Sequence, residues 1–372
     1  MTKGILEYSS LIWNNIWSHS HEIAKALGQK YEVYYLEVPE NKERGHEHLT
    51  YKTKHKVPKG VQLITTNKKF KKFNLIYLLY TQYYTIKKFI QYRNKFQIFI
   101  TYNTYDVALL YLSKLFKKKI VFMYVDEYED LTPNSFFKQY LHWTLKIFLK
   151  NANLVICTAR LLEEKAKTKN KKTKYIPNAT NLTKFKLIRE QKEKQFTIGF
   201  VGTLGSWVDA DMIADAAKII QKKDKSIKIK IIGPGQGHTL LTKRITEENI
   251  QNIELKEYMN HEEALKNMHK FHIAIIPFKI NKITNSVSPL KLFEYWLSNN
   301  AVLSTETYEL KQFKKELIFF KDAKDLAEKA IFLKKNKTLR EKLAKKGKEL
   351  VVQKYNWELL EKQYQILIGE LL

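Results

Sequence analysis

Cysteine is all but missing from this chain: Cys157 is the only one in 372 residues. An internal disulfide is excluded, and Cys157, inside the apolar run Leu154–Cys157, reads as a buried strand thiol. No run of about 18 apolar residues occurs, so no membrane-spanning helix is expected. Met1–Trp13 lacks the basic start and apolar centre of a signal peptide, and a cytoplasmic chain is the expectation. No His/Cys cluster has the spacing of metal ligands, so chemistry without a metal is expected. Glycine is scarce and uneven: residues 61–198 hold none, whereas Gly199, Gly202, Gly205, Gly233, Gly235 and Gly237 crowd one stretch. Glycine lets a phosphate approach the backbone closely, which places a nucleotide on the second half.

Acidic residues are also absent between Glu47 and Asp106. The whole chain carries 66 Lys+Arg against 38 Asp+Glu, a net charge of +28. From Lys52 to Lys95 the basic residues alternate with Phe70, Phe73, Tyr77, Tyr80, Tyr83, Tyr84, Phe89 and Tyr92. Lys68, Lys69, Lys71 and Lys72 flank Phe70 and Phe73, a pairing suited to an anionic membrane surface, where each charge adds about 1 kcal/mol. The same composition suits nucleic acid, and a lysine-rich solvated face accounts for it equally.

At this length two domains are the natural expectation. Strands are predicted at Gly4–Tyr8, Tyr31–Val38, Gln97–Thr101, Ile120–Val125 and Leu154–Cys157, with helices over Ser18–Gly28, 104–117 and 135–150. Residues 40–60 read as a polar loop. The stretch Tyr175–Phe185 and the charged run to Lys194 read as a linker. Strands then restart at Phe196–Val201, Ile227–Ile232, Ile253–Leu255, His272–Ile276, Ala301–Leu303 and Leu317–Phe320, followed by helix over 322–354 and Trp357–Leu371. Apolar strands alternating with amphipathic helices imply two α/β domains with doubly wound parallel sheets.

Residues 286–305 are the most informative segment. Ser288 and Pro289 read as N-cap and first residue of a helix. Leu290, Phe293 and Leu297 then share an inward face with Leu292 and Trp296 beside it, while Lys291 and Glu294 share another. A helix N-terminus, a lysine and a carboxylate within one turn suit a nucleoside diphosphate: amides and ammonium for phosphate, carboxylate for ribose hydroxyls. In the first half, Val125-Asp-Glu-Tyr-Glu-Asp130 follows an apolar strand, and ligands of open α/β sheets sit outside the carboxyl ends of strands. Asp126 is first out of that strand, placed to deprotonate or orient a hydroxyl. Glu129 and Asp130 read as an acidic cluster ahead of the next helix. His238, His261, His269 and His272 read as surface or core residues.

The run Ser286–Thr305 resembles the donor-binding segment of nucleotide-sugar glycosyltransferases of GT-B fold. Ile176-Pro-Asn-Ala-Thr-Asn-Leu-Thr-Lys-Phe185 is similar to the IPNGVDxxxF signature of glycosyltransferase family 4, with alanine in place of glycine. Phe200-Val-Gly-Thr-Leu-Gly-Ser-Trp-Val-Asp209 resembles that family's first C-lobe strand and turn, and Trp13–Ala24 resembles an opening found in teichuronic-acid-type members. The resemblance implies two Rossmann-like doubly wound domains facing across a cleft: an acceptor domain at 1–180, a linker at 181–195, a nucleotide-sugar domain at 196–355, and a terminal helix at 356–372 crossing back. Glu294 would hold ribose and Lys291 the leaving diphosphate. Ser288 and the Leu290 amide would cap phosphates opposite Gly202 and Thr203, and Tyr258 would lie near the base. Trp17 and His19 would stand on the acceptor side. Two positions depart from the pattern: Ser286 replaces a glutamate associated with the sugar, and His19 replaces an arginine.

The implied activity moves a sugar, from a uridine diphosphate donor, to a lipid-linked or growing surface glycan at the inner membrane face. No cofactor and no metal are expected, the nucleotide sugar being a substrate, and nucleic acid is not an expected partner. An epimerase or hydrolase of the same fold and a basic nucleic-acid-binding protein stand as alternatives.

Overall fold

Short apolar strands can bury both faces only where helices cover a parallel sheet on each side. The computed structural model describes residues 4–9, 11–14, 17–41, 54–72, 75–127, 135–188 and 190–372. Its first half contains strands β1 (Gly4–Tyr8), β2 (Glu32–Leu36), β3 (Glu40–Asn41), β4 (Val61–Ile64), β5 (Lys69–Phe70), β6 (Ile98–Thr101), β7 (Lys119–Tyr124), β8 (Leu154–Cys157) and β9 (Thr173–Tyr175). The helices between them are α1 (His19–Gly28), α2 (Leu75–Tyr92), α3 (Val107–Leu115), α4 (Ser135–Asn151) and α5 (Arg160–Lys167). Seven strands form one parallel sheet in the order β4-β2-β1-β6-β7-β8-β9.

The second half repeats this plan. After α6 (Leu182–Lys186) come β10 (Phe196–Val201), α7 (Ala210–Lys223), β11 (Ile227–Ile232), α8 (Gln236–Glu247), β12 (Ile253–Lys256), α9 (His261–Lys270) and β13 (Ile273–Ile276). Then follow α10 (Lys282–Asn285), α11 (Leu290–Leu297), β14 (Ala301–Ser304), β15 (Ile318–Phe319), α12 (Ala323–Lys335), α13 (Lys337–Lys354) and α14 (Trp357–Gly369). The six-stranded sheet runs β12-β11-β10-β13-β14-β15. In both sheets the chain winds outward one way from the first strand, then returns to its other side. A crevice therefore opens at the carboxyl ends of β1 and β6, and another at those of β10 and β13.

Two compact units result: Met1–Pro177 with Glu358–Leu372, and Asn178–Trp357. Helix α14 belongs to the first because Glu361 pairs with Lys25 at 3.1 Å and the Gln365 amide donates to the carbonyl of Ala26 at 2.7 Å. Residues 182–186, expected within a linker, instead form α6, and Phe185 is buried in the second core. Asn181, part of the stretch that reads as a linker, acts as the cap of α6, its Oδ1 accepting from the Thr183 amide at 3.0 Å.

Edge strands β4 and β9 lie where no strand is predicted, since Val-Gln-Leu-Ile is only half-buried and Thr-Lys-Tyr is short and polar. Of residues 40–60, 42–53 lie outside the described residues, and Glu40–Asn41 pairs with Lys69–Phe70 instead of looping. Cys157 is buried in β8, and burial pushes its thiol well above the ordinary range, leaving it inert.

Candidate functional site

The crevice of the second sheet is built on glycine. Gly202 follows β10 with φ +144°, a backbone region that side chains avoid. A Cβ there would strike the ammonium of Lys291, so the missing side chain is what admits that ammonium to the end of the strand. Gly233, at the end of β11 with φ +143°, packs on the carbonyl of Gly202, which joins the two turns. Lys291 comes from α11, and its Nζ lies 4.8 Å from the centre of the Phe200 ring. Burial lowers the Lys291 pKa to about 8, and Glu294 one turn along opposes that shift only in part. The lysine thus stands at the switch point short of hydration, where a bound anion would stabilise its charge.

Helix α11 starts one residue later than expected. Pro289 is the N-cap and Leu290 the first helical residue, and no side chain caps the helix. Ser288 is buried and serves another segment: its Oγ accepts from the Asn178 amide at 3.3 Å, and its carbonyl accepts from Asn178 Nδ2 at 2.7 Å. The asparagine of the IPNAT run therefore fixes the entry to α11, a role its sequence spacing of 110 residues conceals. Leu290 departs from the inward face assigned to it and is 41% exposed. Only the remaining apolar side chains of α11 are core, with Trp296 and Tyr295 fully buried and the Tyr295 hydroxyl accepting from the Val201 amide at 2.9 Å.

Glu294 is buried, and its Oε1 lies 3.1 Å from Nε2 of His261 at the start of α9. His261, read as an ordinary surface or core residue, is thus the group that orients this carboxylate. Nothing in its local sequence marks that role, because the two positions meet only through packing of α9 on α11. Thr203 and Tyr258 are both part-buried, the first beside Gly202 and the second two residues beyond β12. Gly202, Lys291 and Glu294 are brought together around α11. Ser286 is fully buried beneath this segment.

In the first unit, Asp126 lies two residues past β7, part-buried, and burial raises its pKa to about 7. Its neighbour Glu127 is fully turned inward, accepting from the Tyr124 hydroxyl at 3.0 Å and pairing with Lys165. Of the two described carboxylates of this run, Glu127 pairs with a lysine, and no salt bridge is formed by Asp126 among the described residues. Glu129 and Asp130 lie outside the described residues, as do Phe73 and residues 15–16 of the Trp13–Ala24 run.

Trp17 and His19 separate onto different neighbours. The Trp17 indole donates to Glu22 at 2.7 Å and packs edge-on against Trp13. His19 Nε2 lies 3.1 Å from the Tyr364 hydroxyl of α14, and burial lowers its pKa to about 4. The imidazole at this position is therefore neutral at pH 7. His21 is structural: Nδ1 accepts from the Ser18 amide at 3.2 Å, so its proton sits on Nε2, which donates to the Trp13 carbonyl.

The chain does carry one Asp-x-Asp sequence, Asp209-Ala-Asp211. Both members have other work. Asp209 caps α7 through the Met212 amide at 3.0 Å, and Asp211 accepts from Arg244 at 3.1 Å. No cluster of three metal-ligating side chains occurs among the described residues.

Residues 212–362 match the family described as "Glycosyl transferase-like". Anabaena HepE, solved in complex with UDP and glucose, superposes with a TM-score of 0.72 at 13% identity, over 99% of this chain and 100% of HepE. Sucrose-phosphate synthase from Thermosynechococcus elongatus gives 0.75 at 15% identity, over 99% of each chain. The fold is GT-B. TarM of S. aureus shares it over 73% of this chain and 54% of its own length, with a TM-score of 0.57 at 17% identity. No curated protein sequence matches this one. In this GT-B chain the glycine turn, Lys291 and Glu294 all lie in the second unit, which contains most of the glycosyl transferase-like match.

Proposed function

We propose that this protein is a glycosyltransferase that takes a sugar from a uridine diphosphate donor and passes it to a lipid-linked or growing surface glycan. The observation that carries this reading is Lys291 held against Gly202 at the switch point of the second sheet, with Glu294 one turn along the same helix. Phosphate oxygens beside Gly202 meet an ammonium and the first-turn amides of α11, while Glu294 accepts from ribose hydroxyls. As the glycosidic bond to the diphosphate breaks, charge builds on the leaving oxygen, and Lys291 stabilises it there. HepE, bound to UDP-glucose in one structure, supports uridine as the base. Thermal melting with a panel of nucleoside diphosphates and nucleotide sugars tests the reading: UDP and one UDP-sugar should raise Tm most. Turnover of that sugar nucleotide without an acceptor would instead identify an epimerase or hydrolase. Failure of every nucleotide, with steeply salt-dependent binding to nucleic acid, would identify a nucleic-acid protein.

Lys291 makes nucleotide affinity depend on pH. Its pKa in the free protein is lowered to about 8, and a bound diphosphate favours the ammonium, so the bound pKa is higher. Below about pH 8 the ammonium is present before binding and affinity is flat. Above it a proton must be taken up, and affinity falls by up to about tenfold per pH unit. Titration calorimetry at pH 9 in buffers of different ionisation enthalpy reads that proton directly. Lys291→Ala should abolish the uptake, and an unchanged uptake in that variant would remove Lys291 from the phosphate site.

Docking at the inner face of the membrane belongs to the same proposal, with different residues from those the sequence suggests. Phe70 packs against Tyr77 and Tyr80 at 5.3 and 5.2 Å and is not free to enter a bilayer. Leu75, Ile76, Leu79 and Tyr83 of α2 are 68%, 68%, 59% and 60% exposed and fall along one side of the helix. Lys68, Lys71 and Lys72 precede this side and Lys87 lies over the Tyr83 ring, a charge pattern complementary to anionic lipid. Vesicles containing anionic lipid should co-sediment the protein, neutral vesicles only weakly, and added salt should release it. Leu75→Ser with Leu79→Ser should lower vesicle binding and leave nucleotide binding intact. Equal binding to neutral and anionic vesicles, or to neither, would refute docking.

A further inference from the structure

The second sheet has another end. Lys192, His272 and Asn299 precede β10, β13 and β14 respectively, at the amino edge opposite Gly202 and Lys291. Together with Arg340, Lys345, Lys348 and other residues of α13 they line a cavity of about 700 Å³. Each positive group is held in place. Lys192 Nζ donates to the Ser298 carbonyl at 3.1 Å and to Asn300 Oδ1 at 2.7 Å. Lys348 donates to Asn299 Oδ1 at 3.0 Å. Arg340 stacks on Phe196 at 5.0 Å and anchors one nitrogen to the carbonyls of Leu333 and Lys334 at 2.7 and 3.2 Å. His272 lies on the same Phe196 ring at 4.7 Å, and its Nδ1 accepts from the Thr197 amide at 3.1 Å. That bond puts the proton of the neutral ring on Nε2, making it a donor as well.

The cavity therefore assembles an imidazole N–H, a guanidinium and the amines of Lys192, Lys345 and Lys348, with the Phe196 ring packed against His272 and Arg340. The carboxylates that also line it, Glu341 and Glu349, lie one turn from Lys337 and Lys345 at 3.7 and 3.9 Å. Burial, with repulsion from Arg340 and Lys348, lowers the Lys192 pKa to about 7, so this amine is only partly charged at neutral pH and a bound anion would favour its charged form. We propose that this cavity is a second anion site, for a phosphate oxyanion: inorganic phosphate or the phosphate of a sugar phosphate. Convergent donors on a compact centre match the several acceptor oxygens of that group. The site stands apart from the nucleotide reading and does not depend on it.

Amine acylation of the full-length wild-type protein at pH 7.5, read by mass spectrometry, separates the two ends of the sheet. Inorganic phosphate or glucose 1-phosphate, against sodium chloride at matched ionic strength, should protect Lys192 and Lys348 several-fold. Stronger protection by glucose 1-phosphate names the sugar phosphate as the ligand, and equal protection says the site reads the phosphate alone. Protection confined to Lys291, or none beyond that of chloride, overturns the proposal. Calorimetry supplies the second measure. Lys348→Gln keeps a partner for Asn299 but removes a charge, and should weaken phosphate binding by roughly tenfold. Lys192→Gln should do the same, and unchanged affinity in both variants would again overturn it. UDP binding should persist in each variant, and a chain that never binds UDP would refute the donor site without touching this one.

Discussion

Asp126→Asn should lower turnover onto the acceptor by roughly 10²–10⁴-fold while donor binding stays close to wild type, the effect of removing a general base. Asparagine keeps the shape of the side chain and removes only its basicity. The aspartate lies just beyond β7, at the sheet edge where ligands of this architecture bind, and burial holds its pKa near 7. A carboxylate poised there accepts a proton from a hydroxyl far more readily than one near the ordinary value. Its raised pKa also sets the sign of the pH dependence. The base works only when ionised, so kcat/KM should rise as pH passes about 7. On the other side, Lys291 loses its charge near pH 8, so the profile should fall again and form a narrow bell. Asp126→Asn should erase the rising limb alone. Wild-type turnover in the folded variant would leave Asp126 structural and favour a mechanism that retains configuration at the sugar without an enzyme base.

Glu294→Ala should weaken UDP binding by about 10- to 150-fold, corresponding to roughly 1.5–3 kcal/mol for hydrogen bonds to a charged acceptor. The carboxylate is buried and its Oε1 is engaged by His261, so its geometry is set before any ligand arrives. Preorganisation of that kind makes the loss fall on binding more than on turnover. Calorimetric titration with UDP reads it, and uridine diphosphate affinity equal to wild type in a folded Glu294→Ala variant would move the ribose elsewhere. His261→Ala should produce a smaller loss of the same kind, because it leaves the carboxylate in place without its orienting partner.

Much of this protein is determined locally. Runs such as Leu-Val-Ile-Cys and Ile-Ala-Ile-Ile can satisfy their backbone and bury both faces only inside a covered parallel sheet, so nearly every central strand is legible from pattern alone. Lys291 and Glu294 are three residues apart on one helix, and glycine at 202 marks its own turn; such short-range geometry survives in sequence. The edge strands β4 and β9, being half-buried and polar, carry no such pattern. The tertiary structure alone decides the rest. Ser288 turns from helix cap to partner of Asn178, Leu290 turns outward, and His261 meets Glu294, because packing of α9 and α11 against the sheet fixes directions that spacing cannot. Phe70 is withdrawn into an aromatic cluster while Leu75, Ile76 and Leu79 are left outside, since which side of an apolar helix faces the core depends on the partner it meets. The cavity around Lys192, Arg340 and Lys348 is wholly of this kind: its cations come from segments about 150 residues apart, and only the closing of the second sheet puts them around one cavity.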